Sequence, residues 1–537
     1  MNYTNIFPYP EIREQQKEAI DFSVDAILKS DKRFVIIEAG TGVGKSAIGY
    51  TVANYINKLM PADERYVEGS LFVTTQKILQ EQYIKDFSTR GMRSIKSSSN
   101  YSCSFKKGNT CADSSKELRV EDKSSRFFKA CSFNCVYKKT KQDFLASKNS
   151  VTNFSYMLTE ATYSKGIKPR NVLVIDEAHN AESELSKFVE ITVTDRFAKS
   201  MLKLQIPYLK TQYQAFKWIQ DIYFPKLQSY KKHVSAMMEK YSGLKSKLKD
   251  FVTLARQLEL LNGHYSKIKR FLELYDNENW VFEVIQADGR KGKRLQFKPI
   301  DVSPYSSDIL FRLGKKVIMM SATILDKEGF CKTLGISPEE ASFISLPSPF
   351  PTENRPIFSF AIGKMSYKEI DRTLPKLAEA IESILEQHKD EKGIIHAHSY
   401  KIANYLKRNI KSRRILIHDS SNREEILNKH INSSKPTVLL SPSMTEGVDL
   451  VDESSRFQVV CKVPYPYLGD KLVKKRMNKW KWWYPLQTAK TIVQSVGRSI
   501  RSNEDHAVTY ILDSDFGYFY SRNKQYFPPG FQSCLKK

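Results

Sequence analysis

Apolar runs and helical patterns alternate along most of this 537-residue chain. Phe34-Val35-Ile36-Ile37-Glu38, Leu71-Phe72-Val73-Thr74-Thr75-Gln76, Asn171-Val172-Leu173-Val174-Ile175 and Val317-Ile318-Met319-Met320 read as strands. Ahead of the first strand, a stretch reaching Leu28 has Ala19, Ile20, Phe22, Val24 and Ile27 as an apolar helical face, and a second helix is predicted to run to about Leu59. Strand alternating with helix predicts a doubly wound parallel sheet. The alternation breaks twice. From about Ser94 it gives way to Ser, Lys and Asn around a group of cysteines, and over 192–275 it turns helical and basic, with Lys231, Lys232, Lys240, Lys245, Lys247, Lys249, Lys267, Lys269 and Arg270. Trp280-Val281-Phe282-Glu283-Val284-Ile285 and Arg294-Leu295-Gln296-Phe297, on either side of Asp288-Gly289, predict a hairpin that closes this second insertion. Pro347, Pro349, Pro351 and Pro356 mark a linker. Beyond it, strands expected at 393–396, 415–417, 438–440, 458–463 and 508–512 form a second α/β series.

Two strand ends carry candidate chemistry. After the first comes Ala39-Gly40-Thr41-Gly42-Val43-Gly44-Lys45-Ser46, a phosphate loop. Its glycines let backbone N–H groups converge on phosphate oxygens, Lys45 brings positive charge to the β/γ-phosphates, and the Ser46 hydroxyl suits Mg²⁺. Ala39 stands where the strict pattern has glycine. After the third strand come Asp176-Glu177-Ala178-His179. The first carboxylate suits Mg²⁺, and the second can align and deprotonate a water. Arg13 and Gln16 lie three apart ahead of the first strand. Gln494, Arg498 and Arg501 fall near one face of a helix in the second series. Such arginines matter when a phosphate site needs a cation from across a cleft.

The net charge of +26, spread along the chain, points to a nucleic-acid partner, because so much self-repulsion disfavours a compact fold unless something anionic offsets it. The segment 471–484, with Lys471, Lys474, Lys475, Arg476, Lys479, Lys481 and the aromatics Trp480, Trp482, Trp483 and Tyr484, offers charges to DNA, while at least one tryptophan is expected to be core packing. No apolar run approaches the roughly 18 residues of a membrane helix, and the N-terminus lacks a signal peptide's pattern, so an intracellular protein is expected. Of seven cysteines, Cys103, Cys111, Cys131 and Cys135 crowd into 33 positions, with no histidine ahead of Ala178. An all-thiolate set suits an iron–sulfur cluster or Zn²⁺, and spacing does not separate the two.

In this order the motifs resemble superfamily 2 helicases, and within them the XPD/DinG-like iron–sulfur DNA helicases. The resemblance rests on Arg13 and Gln16, the loop from Ala39 to Ser46, Thr74-Thr75, the cysteine insertion and Asp176-Glu177-Ala178-His179. It continues through the helical insertion, Ser321-Ala322-Thr323, Ser348-Pro349-Phe350-Pro351, the stretch from Gly393 to Tyr400, Thr445-Glu446-Gly447-Val448-Asp449-Leu450 and the stretch from Gln494 to Arg501. It implies two RecA-like motor domains with ATP and Mg²⁺ between them. Residues 1–95, 151–190 and 301–350 would form the first, interrupted by an iron–sulfur domain at 96–150 and a mostly helical arch at 191–300, and residues 351–537 the second. The expected ligands are single-stranded and forked duplex DNA, with translocation 5′→3′ by a monomer in the cytoplasm, or in the nucleus of a eukaryote. A [4Fe–4S] cluster, or alternatively Zn²⁺, would sit on the four cysteines.

The resemblance also assigns roles. Lys45 and the loop hold the triphosphate, Ser46 and Asp176 position Mg²⁺, and Glu177 is the base. Arg498 and Arg501 reach across the cleft, a role worth about 10³–10⁵ in rate elsewhere. Arg13, Gln16, Gly447 and Asp449 belong to the nucleotide site, Gln494 senses nucleotide, and Ser321 and Thr323 couple closure to DNA. A DNA-stimulated translocase that separates no strands would carry the same motifs.

Overall fold

The computed structural model describes residues 2–40, 42–118, 121–133, 135–164, 166–242, 244–286, 292–419, 422–442, 452–497 and 505–536. Thr41, Asp288-Gly289, Gly447, Asp449, Arg498 and Arg501 lie outside the described residues.

Two seven-stranded parallel sheets organise the chain. The first is built from β1 (Phe34–Ala39), β2 (Val67–Thr74), β3 (Arg93–Ser94), β4 (Asn149–Asn153), β5 (Arg170–Asp176), β9 (Gly314–Ser321) and β10 (Ala341–Leu346), in the order β10-β1-β9-β5-β2-β4-β3. β1 and β5 are buried throughout, as strands covered on both faces must be. Alternate side chains feed opposite cores: Ile36, Leu173, Ile175 and Met319 on one face, Ile37, Val172, Val174 and Met320 on the other.

The first of these cores does not stop at the sheet. It runs on through Trp218, Phe271, Trp280 and Phe297 into the second insertion, so the insertion is fused to the first α/β domain by continuous packing. That insertion holds helices Gln212–Trp218, Phe224–Tyr241 and Leu248–Leu274 and a three-stranded antiparallel sheet of β6 (Ile191–Thr194), β7 (Trp280–Ile285) and β8 (Arg294–Pro299), ordered β6-β8-β7. The hairpin expected from sequence is present, and β6 is a third strand that pattern reading did not separate. Arg256 pairs with Asp113 at 2.9 Å and Lys116 with Glu259 at 2.8 Å, tying helix Leu248–Leu274 to the cysteine insertion.

β11 (Ile357–Gly363), β12 (Gly393–His396), β13 (Ile415–Ile417), β14 (Val438–Ser441), β15 (Phe457–Val460), β16 (Val508–Asp513) and β17 (Leu535–Lys536) form the second sheet, ordered β13-β14-β12-β15-β16-β11-β17. Two of these, β11 and β17, lie beyond the five strands anticipated. Among the described residues no helix is long and apolar enough to cross a membrane.

Candidate active site

Three neighbouring strands of the first sheet, β1, β9 and β5, end at one edge. Glu38 pairs with Ser321 and Asp176 with Met320, so the phosphate loop, Ser321 and the Asp176-Glu177 pair emerge side by side. This is the carboxyl end of a parallel sheet, where open α/β folds bind ligands. Gly42 and Gly44 both have positive φ, +82° and +87°. Helix Lys45–Leu59 starts directly after Gly44, and its first-turn N–H groups and dipole favour an anion at that end. Lys45 Nζ donates to the Ala39 carbonyl at 3.2 Å, holding the loop closed on itself.

Arg13 and Gln16 lie behind this loop. Arg13 Nη1 donates to the Gly42 carbonyl at 2.7 Å and Gln16 Nε2 to the Val43 carbonyl at 2.9 Å, while Gln16 Oε1 accepts from the Arg13 N–H at 3.0 Å. Both therefore brace the loop in this state. A Cβ on Gly42 would lie 2.1 Å from Cζ of Phe350, so the linker's aromatic ring roofs the loop at a point where only glycine fits. Phe350 also packs with Ala507 of the second domain.

Asp176 is buried at the end of β5. Its Oδ1 accepts the Glu177 N–H at 2.9 Å, and its Oδ2 accepts the Tyr83 hydroxyl at 3.1 Å. Burial and then the Glu177 charge push its carboxyl up to about 6, against the pull of Lys45 and these two hydrogen bonds. Glu177 has φ +49°, a left-handed conformation that costs a non-glycine residue energy and turns its side chain off the strand. From there a chain of polar contacts crosses to the second domain. His179 Nδ1 sits 3.2 Å from Glu177 Oε2 and 2.8 Å from Ser321 Oγ. Ser321 Oγ accepts the Thr323 N–H at 3.0 Å, and Thr323 Oγ1 accepts Gln494 Nε2 at 3.0 Å. Lys490, four residues earlier on the same helix, donates to the His179 carbonyl at 2.8 Å.

The 471–484 segment departs from expectation. Arg476 is buried, with Nη1 2.8 Å from Glu182 Oε1 and Nε donating to the Ile300 carbonyl at 2.8 Å. Lys479 pairs with Asp301 at 2.9 Å, and Trp480 and Trp483 are both buried. Three of the six cations assigned to DNA thus face the first domain, because the Glu182 and Asp301 carboxylates and the Ile300 and Phe282 carbonyls lie opposite Arg476, Lys479 and Lys471. Lys474, Lys475 and Lys481 remain exposed.

Cys103, Cys111, Cys131 and Cys135 all line one small cavity, together with Phe105, Phe127 and Tyr137. Cys111 and Cys135 sulfurs are 3.6 Å apart. Burial, then Cys135, Cys131 and Cys103, push the Cys111 thiol up to about 12. Burial also acts on Cys103, but the polar groups around it, the Ser114 side chain and the Lys106 and Phe105 N–H groups, hold its thiol below its ordinary value. Among the described residues no three such side chains are already drawn together as metal ligands. The donor set itself, four thiols with no imidazole or carboxylate in the lining, fits a thiophilic centre.

Two family models match the chain, a type III restriction enzyme res subunit over residues 9–206 and a helicase C-terminal domain over 381–533. A probable ATP-dependent helicase of Methanocaldococcus jannaschii is 23% identical over 96% of this chain and 93% of its own length. In both halves the chain is similar to XPD/DinG-like superfamily 2 helicases. The ATP-dependent DNA helicase DinG of Photobacterium profundum is 24% identical over 41% of this chain and 34% of its own. Among solved structures an XPD helicase superposes with a TM-score of 0.64 at 17% identity, covering 96% of this chain and 98% of that one, which establishes the shared fold.

Resemblance to ATP-dependent helicases implies ATP with Mg²⁺ as ligands. Lys45, Ser46, Asp176 and Glu177 meet at the β1–β9–β5 edge, and Gln494 reaches it from the second domain through Thr323. Sequence reading missed Tyr83, Lys490 and Arg476 as parts of this assembly. Tyr83 sits four residues before Phe87, the spacing of any helix core face, and nothing local marks its hydroxyl as directed at Asp176.

Proposed function

We propose that the chain is an ATP-dependent DNA helicase that moves 5′→3′ along single-stranded DNA and separates forked duplexes. The observation that carries this reading is the unbroken polar chain from Glu177 through His179, Ser321 and Thr323 to Gln494. A change at the γ-phosphate end alters contacts that hold the two motor domains together, as a motor that converts hydrolysis into domain motion requires. Lys45 and the loop amides bind the triphosphate, Ser46 and Asp176 hold Mg²⁺, and Glu177 takes the proton of the attacking water. Arg498 and Arg501 neutralise the transferring phosphoryl group from across the cleft.

The relatives named as DNA helicases and the charge of +26 favour DNA as the track, gripped mainly through phosphates, because a translocating motor does not depend on sequence. Cys103, Cys111, Cys131 and Cys135 would hold a [4Fe–4S] cluster, with Zn²⁺ as the alternative, giving the insertion a rigid cross-link. The test is strand release from a 5′-tailed fork with ATP and Mg²⁺. Release from a 5′-tailed but not a 3′-tailed fork is expected. ATP consumption on single-stranded DNA with no strand release would replace helicase by translocase, and no ATP consumption would reject both.

A further inference from the structure

Tyr83 is a polar side chain at the β1–β9–β5 edge that no motif accounts for. It lies in helix Lys77–Phe87, is 2% exposed, and points its hydroxyl at Asp176 Oδ2, 3.1 Å away. Ser46 also acts on this hydroxyl, against the burial that raises its pKa. Its ring is fixed between Phe72 and Phe87, at centroid distances of 5.6 and 5.7 Å, and Phe87 stacks on Tyr50 at 4.7 Å with an interplanar angle of 6°. Tyr50 belongs to helix Lys45–Leu59, which Ser46 helps to open. The aromatic stack therefore ties the helix that carries Tyr83 to the helix that carries Ser46.

A phenylalanine would fill this space equally well. A buried hydroxyl is tolerated only where it finds a partner, and the partner here is Asp176, a side chain assigned to the metal. Tyr83 donates to the Asp176 carboxylate at 3.1 Å. With Asp176 Oδ1 taken by the Glu177 N–H and Oδ2 by Tyr83, the carboxylate is fixed in rotation while keeping lone pairs on both oxygens. We infer that Tyr83 is a positioning residue for the magnesium of the ATP site, holding Asp176 and Ser46 in the arrangement that receives the ion. This inference rests on the proposed assignment of those two residues to Mg²⁺.

The test uses the full-length protein and a fluorescent ATP analogue, with binding followed as Mg²⁺ is titrated and again in EDTA. Tyr83→Phe is expected to raise the Mg²⁺ concentration at half-maximal binding by about 10–100-fold, the usual cost of removing a group that orients a metal ligand. Affinity in EDTA and the melting temperature should stay close to wild type, and kcat should recover as Mg²⁺ is raised. An unshifted Mg²⁺ midpoint overturns the inference, and so does an equal loss of affinity with and without Mg²⁺. A wild-type protein whose nucleotide binding ignores Mg²⁺ would instead overturn the assignment of Ser46 and Asp176, and this inference with it. Tyr83→Met repeats the comparison if the phenylalanine variant is unstable.

Discussion

Arg476 offers a direct measure of how firmly the two motor domains are docked. It is 9% exposed in its side chain and faces a Glu182 carboxylate that is 16% exposed, at 2.8 Å. Removing one partner of a buried pair costs about 3–5 kcal/mol, because the other charge is stranded. Arg476 Nη2 has no hydrogen-bond partner among the described residues, which puts this pair near the lower figure, about 3 kcal/mol. At about 1.4 kcal/mol per decade, Arg476→Met should raise the undocked population by ~10²-fold. Proteolysis of the proline-rich linker at 347–356 reports that population when opening is fast relative to cleavage. Glu182→Gln should have a similar effect, and the double variant should be cut little faster than either single. That pattern corresponds to a coupling energy of about 2–3 kcal/mol. Strictly additive effects, with coupling under about 0.5 kcal/mol, would refute the argument that this pair docks the domains.

Glu177→Gln should bind MgATP within about twofold of wild type and lose turnover by at least ~10³-fold, read from nucleotide binding and DNA-stimulated phosphate release. Normal hydrolysis by that variant would remove Glu177 as the base. In the helical insertion, burial and then Lys267 push His264 down to about 4, and its Nε2 meets the Tyr223 hydroxyl at 2.7 Å. The unfolded chain binds the proton first as pH falls, so the stability His264 gives is full above about 6.5 and is lost progressively toward 4, by up to about 3 kcal/mol. His264→Gln should flatten that stretch of the pH–stability curve, and an unchanged slope would show that other groups set it. Anaerobically purified protein should be brown with about four irons, whereas a colourless protein with one zinc would assign Cys103, Cys111, Cys131 and Cys135 to zinc instead.

The parts of the site that sequence made legible are those where backbone geometry dictates residue type. The phosphate loop needs positive φ at Gly42 and Gly44, and β1 and β5 need apolar residues at consecutive positions because both faces are covered. The parts it hid are side-chain contacts between distant segments. Arg476 and Lys479 stand in a Lys-rich helix followed by three tryptophans, a segment whose composition suits DNA. Their actual partners, Glu182, Ile300 and Asp301, are set by how the second domain lies on the first. The cysteines were legible as a group for a similar reason, since four thiols in a polar stretch are conspicuous. Which centre they prefer depends on the disposition of the sulfurs around one cavity, and spacing along the chain does not encode that.

β5 shows how an insertion can be anchored without disturbing the chemistry beside it. Its last residue is Asp176 and its first is Arg170, which is 4% exposed. Arg170 Nη2 donates to the Leu145 carbonyl at 3.2 Å and to Ser150 Oγ at 3.2 Å, and Nη1 donates to the Ser147 carbonyl. Those carbonyls end helix Val136–Ala146, by which the chain leaves the cysteine cavity, and a cation there also meets the negative end of the helix dipole. Burial alone pulls this guanidinium down to about 10, which leaves it charged at neutral pH. The exit of the insertion is thus fixed to one end of a fully buried strand, and the Asp176 carboxylate stands at the other. A shift of that exit helix along the strand would strand the buried guanidinium before it could reach Asp176. The insertion is therefore anchored to the sheet while the register of the edge that carries Asp176 stays fixed.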